Sequence, residues 1–579
     1  MFLYGMNVMG EGLEKLSGGR LEQLLGRLCS TTWRGVLLGS VVTALIQSSS
    51  AVTVMVIGFV NSGIMRLRQA VGVIMGANLG TTLTSWLLSL SGVESNVGWM
   101  QLFKPTTFAP ILALVGVILL FRKKHARART VGTILLGFAI LMSGMEQMSG
   151  AAKPLADSPA FTGMLTWFAN PLLGMLSGAV LTAVIQSSSA SVGILQALSA
   201  SGGFTVHSAV PIVMGQNIGT CVTALISSIG ASVAAKRAAL VHLYFNVIGS
   251  VALLAVFLGV ERLGGTWTAT AVVARDIALI HTVFNLLSTV LLLPFARWLE
   301  KLAVRSVPDG KAPVDRGASA PAAVSAGETS LLDERFFRSP SFALHIGREV
   351  FCRMLTLAAD NVRGAVDACL ERAGADEGHL EANERLIDAY RRDLGRYLLH
   401  LSRTSLSGEA SEEVGRMLAT LDDVARIGDH AMSMQKLSRT VDAGERTGWI
   451  AGDPLLVTFV RTVGEMAELT RQTWEHGEVG TARRLEDMRR QAELLQDRCR
   501  EDRIHRLREG MPMPTGEDDN WALGTLLNDG VRIAAHCEHL ARHVRRMQES
   551  LRRADAHRMY DAQESVGRST ATVSPSGRE

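Results

Sequence analysis

Two stretches of this chain carry residue types that could form a ligand site without any charge: Thr43-Ala-Leu-Ile-Gln47-Ser48-Ser49-Ser50-Ala51 and Thr182-Ala-Val-Ile-Gln186-Ser187-Ser188-Ser189-Ala190. Each sets an amide and three hydroxyls inside an apolar run, which is costly in lipid unless something occupies them. Positions 33–60 and 170–200 contain no Asp, Glu, Lys or His, and Arg34 is their one charged residue. Anything held there must be met by hydroxyls, amides and backbone groups freed at a helix break. A helix beginning at Ser48–Ser50 would turn N–H groups and a positive dipole end toward an anion, while freed carbonyls with Thr and Asn oxygens suit a small hard cation. Anion and cation held together cancel charge inside a membrane, as coupled transport requires. Close helix packing also explains small residues in membrane helices, but a five-residue string, Gln-Ser-Ser-Ser-Ala, written twice argues for a site.

The two copies keep one register. Gly5 and Gly144, Gly35 and Gly174, Gly39 and Gly178, Gln47 and Gln186, Gly76 and Gly215, Asn78 and Asn217, and Thr81 and Thr220 are each 139 positions apart (186 − 47). This is the mark of a duplication without an insertion. The second shared motif, Gly76-Ala-Asn78-Leu-Gly80-Thr81 with Gly215-Gln-Asn217-Ile-Gly219-Thr220, adds two buried amides that must find partners, which makes Asn78 and Asn217 candidate cation or substrate ligands. His242-Leu-Tyr-Phe245-Asn246 and His281-Thr-Val-Phe284-Asn285 also repeat, and interhelical hydrogen bonding is their expected role.

The 579 residues divide by composition: the first 300 or so hold long apolar segments, and the remainder is rich in Glu, Asp and Arg. The overall net charge of +4 averages two unlike halves. Apolar segments of spanning length occur near 69–90, 105–121, 130–146, 208–228, 238–260 and 274–296. A seventh, at 1–9, reads as a first spanning helix cut short, because Gly5-Met6 follows four residues where Gly144-Met145 follows the apolar segment Val131–Met142. The broken stretches 33–60 and 170–200 are expected to be re-entrant hairpins, since non-helical backbone at membrane depth must be buried in protein or line a cavity. With that layout, Lys15, Arg20, Arg27, Arg34, Arg66 and Arg68, the basic run from Arg122 to Arg129, Lys236, Arg237, Arg297, Lys301 and Arg305 all fall on one face. That face is expected to be cytoplasmic. Three crossings separate equivalent points of the copies, so the repeats are expected to be inverted around a shared midplane site.

A Pro-, Ala-, Ser- and Gly-rich segment, 306–335, reads as a linker. Beyond it, helical stripes such as Leu386, Ile387, Tyr390, Leu394, Tyr397, Leu398 and Leu401 predict six amphipathic helices over 336–552, most simply two three-helix bundles. The tail 553–579 has no apolar stripe and is expected to be disordered. The fold class expected is all-α: a polytopic membrane protein with inverted repeats (1–121 and 130–260, with an extra span at 274–296) and two re-entrant hairpins, followed by a soluble double three-helix bundle. Six cysteines without ligand spacing suggest a reducing compartment. Arginines alternating with acids suggest a solvated face and no nucleic-acid partner. No Gly-x-Ser-x-Gly string or base near the serines suggests an enzyme.

The paired Gln-Ser-Ser-Ser strings, each followed by Gly-x-Asn-x-Gly-Thr, resemble the type II sodium/phosphate cotransporter family over about residues 1–300. The resemblance implies phosphate and sodium binding at the hairpin tips by Gln47, Ser48, Ser49, Ser50, Gln186, Ser187, Ser188 and Ser189. Thr43, Thr182, Asn78, Asn217, Thr81 and Thr220 are further assignments by the same resemblance. The C-terminal half is similar to the PhoU family of phosphate-uptake regulators, whose paired Glu/Asp-xxx-Asp helices bind iron, zinc or another divalent metal. Glu384-Arg-Leu-Ile-Asp388 and Glu493-Leu-Leu-Gln-Asp497 fit that spacing, and Asp429 belongs to a second element, Ala425-Arg426-Ile427-Gly428-Asp429-His430, that has lost its first acid. The counterpart, Val531 to His536, has lost both. The implied function is sodium-coupled phosphate import across the cell inner membrane with a cytoplasmic regulatory module. The alternative is a membrane-tethered phosphate sensor, and a homodimer or a regulatory protein partner is left open.

Overall fold

The computed structural model of the chain describes residues 1–17, 31–92, 105–122, 126–168, 170–264, 266–308, 331–370, 377–404, 406, 408–442, 450, 452–476, 479–509 and 520–571. Most of the expected linker and part of the expected basic loop, Lys123 and Lys124, lie outside these residues. Among the described residues there is no strand, and one isolated bridge joins Thr205 to Ala271. The chain divides into two compact units, the first comprising Met1–Arg316 with Asp333–Phe342 and the second Gly317–Leu332 with Ala343–Glu579.

In the first unit, α1 is Phe2–Ser17, α2 Thr32–Ile46, α3 Ser49–Asn61, α4 Leu67–Ser89, α5 Pro105–Leu120 and α6 Ala126–Ala152. There follow α7 Pro159–Phe168, α8 Pro171–Ile185, α9 Ser188–Ser199, α10 Val206–Ser227, α11 Val233–Arg262, α12 Ala274–Leu292 and α13 Ala296–Ser306. Among the described residues five segments are long and apolar enough to cross a membrane: Leu67–Gly92, Arg127–Leu155, Val206–Ser227, Val233–Arg262 and Ala274–Ser306. The expected span at 105–121 forms α5 with 16 residues, short of the roughly 20 a straight crossing needs. The first helix, expected over 1–9, continues to Ser17.

Glycine decides how these helices meet. A Cβ at Gly76 would stand 2.1 Å from the Val36 carbonyl oxygen, and one at Gly215 would stand 1.8 Å from that of Met175. Only a bare Cα lets α4 lie on α2, and α10 on α8, at this separation. The two pairings are the repeat-equivalent scaffolds, and each holds a break between α2 and α3 or between α8 and α9.

The segment Asp333–Phe342 packs with this unit as a strap. Phe336 is fully buried against α3, where a Cβ on Gly58 would meet its ring at 2.7 Å. Phe59, Phe336 and Phe342 form an aromatic trio with centroids 4.9 to 5.7 Å apart. Asn61 Nδ2 donates to Asp333 Oδ2 at 2.6 Å, and Asn61 Oδ1 accepts from the Ser232 N–H at 2.8 Å. Arg335 pairs with Asp333 at 2.8 Å and donates from Nε to the Ser227 carbonyl at 2.7 Å. The strap thus ties the end of α3 to the α10–α11 turn.

In the second unit, α14 is Pro340–Cys369, whose first three residues belong to the first unit, α15 Glu377–Leu401, α16 Gly408–Asp442, α17 Pro454–His476, α18 Val479–Glu509 and α19 Asn520–Ala571. Tyr397 on α15 donates to the Ala343 carbonyl on α14 at 3.2 Å, and α17, α18 and α19 each pack on the other two. Where α16 crosses α19, Asp423 accepts from His536 at 2.8 Å and from His539 at 2.6 Å, while His430 meets Asp529 at 2.9 Å. Asp423 and His430 recur as Asp529 and His536, each 106 positions on (529 − 423), so the crossing pairs each Asp with the other helix's His. α19 runs to Ala571, into the stretch expected to be a disordered tail. Residues 572–579 lie outside the described set.

Candidate functional site

Each break is a single residue. Gln47 has φ 62° and ψ 22°, and Gln186 has φ 59° and ψ 24°. They are the two non-glycine residues with positive φ among those described. A left-handed glutamine costs free energy that glycine would avoid, and two occurrences at repeat-equivalent points mark strain kept for a purpose. The backbone N–H of Gln47 donates to the Thr43 carbonyl at 2.7 Å, and that of Gln186 to the Thr182 carbonyl at 2.7 Å.

The next residue opens a new helix. Ser48 and Ser187 are extended N-caps, whose Oγ atoms accept from the N–H groups of Ala51 and Ala190 at 3.2 Å. Ser49, Ser50, Ser188 and Ser189 therefore occupy the first turns of α3 and α9, where backbone N–H groups lack helical acceptors and the dipole favours an anion. Ser49, Ser188 and Ser189 are buried, and Ser48, Ser50 and Ser187 are partly so.

Thr43 and Thr182, one turn before the breaks, are both fully buried, and their hydroxyls have no hydrogen-bond partner. A helical threonine can bond the carbonyl four residues back, as Thr81 does to Ala77 and Thr220 does to Gln216, each at 3.0 Å. The orphaned pair is the kind of buried oxygen a small hard cation would satisfy. Asn78 is tied to α11: its Nδ2 donates to Asn246 Oδ1 at 2.8 Å, and its Oδ1 lies 3.3 Å from His242 Nε2. Asn217 instead donates to the Val213 carbonyl at 2.9 Å. His281 contacts Ser85 at 2.9 Å, so both repeated histidines make interhelical contacts.

Thr84 and Thr223 were not among the expected site residues. Thr84 Oγ1 donates to Gln47 Oε1 at 2.8 Å, and the Gln47 amide nitrogen reaches the Ala44 carbonyl. Continuing the 139-residue register one turn past Thr81 and Thr220 would have found both threonines.

In the second unit, Glu384, Asp388 and Asp429 line an open cleft of about 710 Å³ with Arg385, Lys436 and Trp521. Burial, then the charges of Asp429 and Asp388, push the Glu384 carboxyl up to about 7. Glu493 is paired with Arg489 at 2.8 Å, which also holds Glu538 at 2.7 Å. Among the described residues no group of three or more His, Cys, Asp or Glu is arranged to hold a metal ion. The expected divalent-metal set of Glu384, Asp388, Asp429, Glu493 and Asp497 thus does not fit. Glu493 is paired with an arginine instead.

A family model described as Na+/Pi-cotransporter matches the chain twice, over residues 1–150 and 140–289. The uncharacterised protein YqeW of Bacillus subtilis is 33% identical over 263 residues, covering 44% of this chain and 79% of that protein. YjbB of Escherichia coli, provisionally named for inorganic phosphate export, is 29% identical over 269 residues, 46% of this chain and 47% of its own length. Sodium-dependent phosphate transport protein 2B of Homo sapiens is 35% identical over 132 residues, 21% of this chain and 19% of that protein. The chain therefore spans about half the length of the Escherichia coli relative. No solved structure matches.

Proposed function

This chain belongs to the Na+/Pi-cotransporter family, and on that premise we propose that it couples inward movement of inorganic phosphate to sodium at a site built from its two helix breaks. The observation that carries this reading is the repetition, 139 residues apart, of a left-handed glutamine, a serine-capped helix start and an orphaned buried threonine hydroxyl. The first turns of α3 and α9 supply N–H groups and hydroxyls from Ser49, Ser50, Ser188 and Ser189 to the phosphate oxygens. Thr43 and Thr182, with carbonyls freed at the breaks, supply oxygens to sodium, and Asn217 and Thr220 stand within the same repeat motif. Ser48 and Ser187 act as caps that fix the helix starts.

On this reading, α2–α3 and α8–α9 are re-entrant hairpins in inverted repeats, and rocking of one part against the other exposes their shared site to each side in turn. The chain resides in the inner membrane with its second unit cytoplasmic, and that unit is a PhoU-like double three-helix bundle that regulates flux. A sodium gradient directed inward drives symport inward, whereas the name of YjbB points to export. Radiolabelled phosphate flux in proteoliposomes, with sodium gradients imposed in each direction, tests both. Accumulation that follows the sodium gradient supports symport. Saturable phosphate binding without sodium-dependent accumulation would favour a phosphate sensor instead.

A further inference from the structure

The two breaks share a backbone and differ in the side-chain contacts of their glutamines. Their φ and ψ values agree within 3°. The helix pairs behind them also agree: a Cβ on Gly80 would stand 2.7 Å from Thr43 Cβ, and one on Gly219 would stand 2.8 Å from Thr182 Cβ. One turn further along each helix, Thr84 bonds Gln47, and Thr223 holds the equivalent position in the 139-residue register (84 + 139 = 223).

Here the equivalence ends. Gln47 is buried and its Oε1 accepts from the Thr84 hydroxyl at 2.8 Å. Gln186 is exposed, and the Thr223 hydroxyl, 3% exposed as a residue, has no partner. An unmade hydrogen bond in a buried place is unfavourable, and a valine of similar shape would avoid it. The Thr223 hydroxyl thus does nothing for this arrangement of the fold.

We infer that Thr84 and Thr223 are positioning residues that clasp Gln47 and Gln186 alternately, one clasp closed while the other stands open. The clasp acts through the glutamine: closed, it draws the amide into the helix pair; open, it releases the amide to the side from which phosphate and sodium arrive. The inference rests on the transport reading above, since alternation has meaning only for a site loaded from two sides. An exposed Gln186 beside a buried Gln47 is then one half of the cycle, and Thr223 is required in the other half.

The test is Thr223→Val in the full chain, with Thr223→Ser and Thr84→Val beside it. Sodium-driven phosphate flux in proteoliposomes is measured against phosphate concentration, together with thermal melting. Thr223→Val should melt at or above the wild-type temperature, because it removes an orphaned hydroxyl. It should nevertheless lose maximal flux by about tenfold, with half-saturation changed less than about twofold. Thr84→Val should lose maximal flux similarly, and Thr223→Ser should restore it. Wild-type flux from Thr223→Val, or a Thr223→Ser no better than Thr223→Val, overturns the clasp while leaving the transport reading standing. A wild-type chain that moves no phosphate overturns the transport reading and the clasp with it.

Discussion

Ser49 and Ser188 each stand at the first position of a helix, buried, with the cap's hydroxyl spent on a backbone N–H one turn on. Their own hydroxyls are therefore the ones free of a capping duty. Ser49→Ala and Ser188→Ala should each lower sodium-driven phosphate flux at least about tenfold, since a lost partner to a charged ligand is worth ~1.5–3 kcal/mol. Melting should stay at the wild-type temperature, and wild-type flux from both would remove these serines from the site. In the second unit, Glu384 holds its proton up to about pH 7, above the unfolded carboxyl value of 4.5. The folded state then binds more protons than the unfolded one between those values, so stability falls as pH rises through that window. Glu384→Gln should flatten this fall, which melting of the full chain at a series of pH values between about 5 and 8 would reveal.

The helix pairs depend on glycines that the neighbouring backbone touches. Gly215→Ala would drive a methyl into the Met175 carbonyl and should destabilise the fold by ~1–3 kcal/mol. Gly259→Ala on α11, where nothing lies within 4 Å, should be neutral or mildly stabilising. Equal melting of the two variants would contradict the packing described. The breaks were legible because a polar string inside an apolar run has few uses, and the 139-residue register fixed their equivalence. What the sequence left hidden was side-chain choice. Nothing in the letters distinguishes Gln47, bonded to Thr84, from Gln186, which is exposed. The serines of each string look alike as well, yet Ser48 and Ser187 serve as caps. Metal ligation by Glu384, Asp388 and Glu493 came from a family resemblance whose motif this chain keeps only in part, whereas the i,i+4 spacing of Arg489 and Glu493 already pointed to the ion pair that forms.

At the scale of the molecule, composition puts the seam between the units at 306–335, whereas packing assigns Asp333–Phe342 to the first unit. Low-complexity residues point to a boundary, and they do not reveal which side a following Phe-Phe pair will join. The strap has a practical corollary for anyone separating the halves. A polypeptide ended at residue 308 leaves an aromatic-lined notch at Gly58 and Phe59 open to water, while one ended at residue 342 carries its own stopper. The longer piece should melt higher and stay monodisperse in detergent, and Phe336→Ala within it should cost ~3–5 kcal/mol, as loss of a buried aromatic does. Scissors placed by composition would therefore cut ten residues of the membrane half's own masonry away with its neighbour.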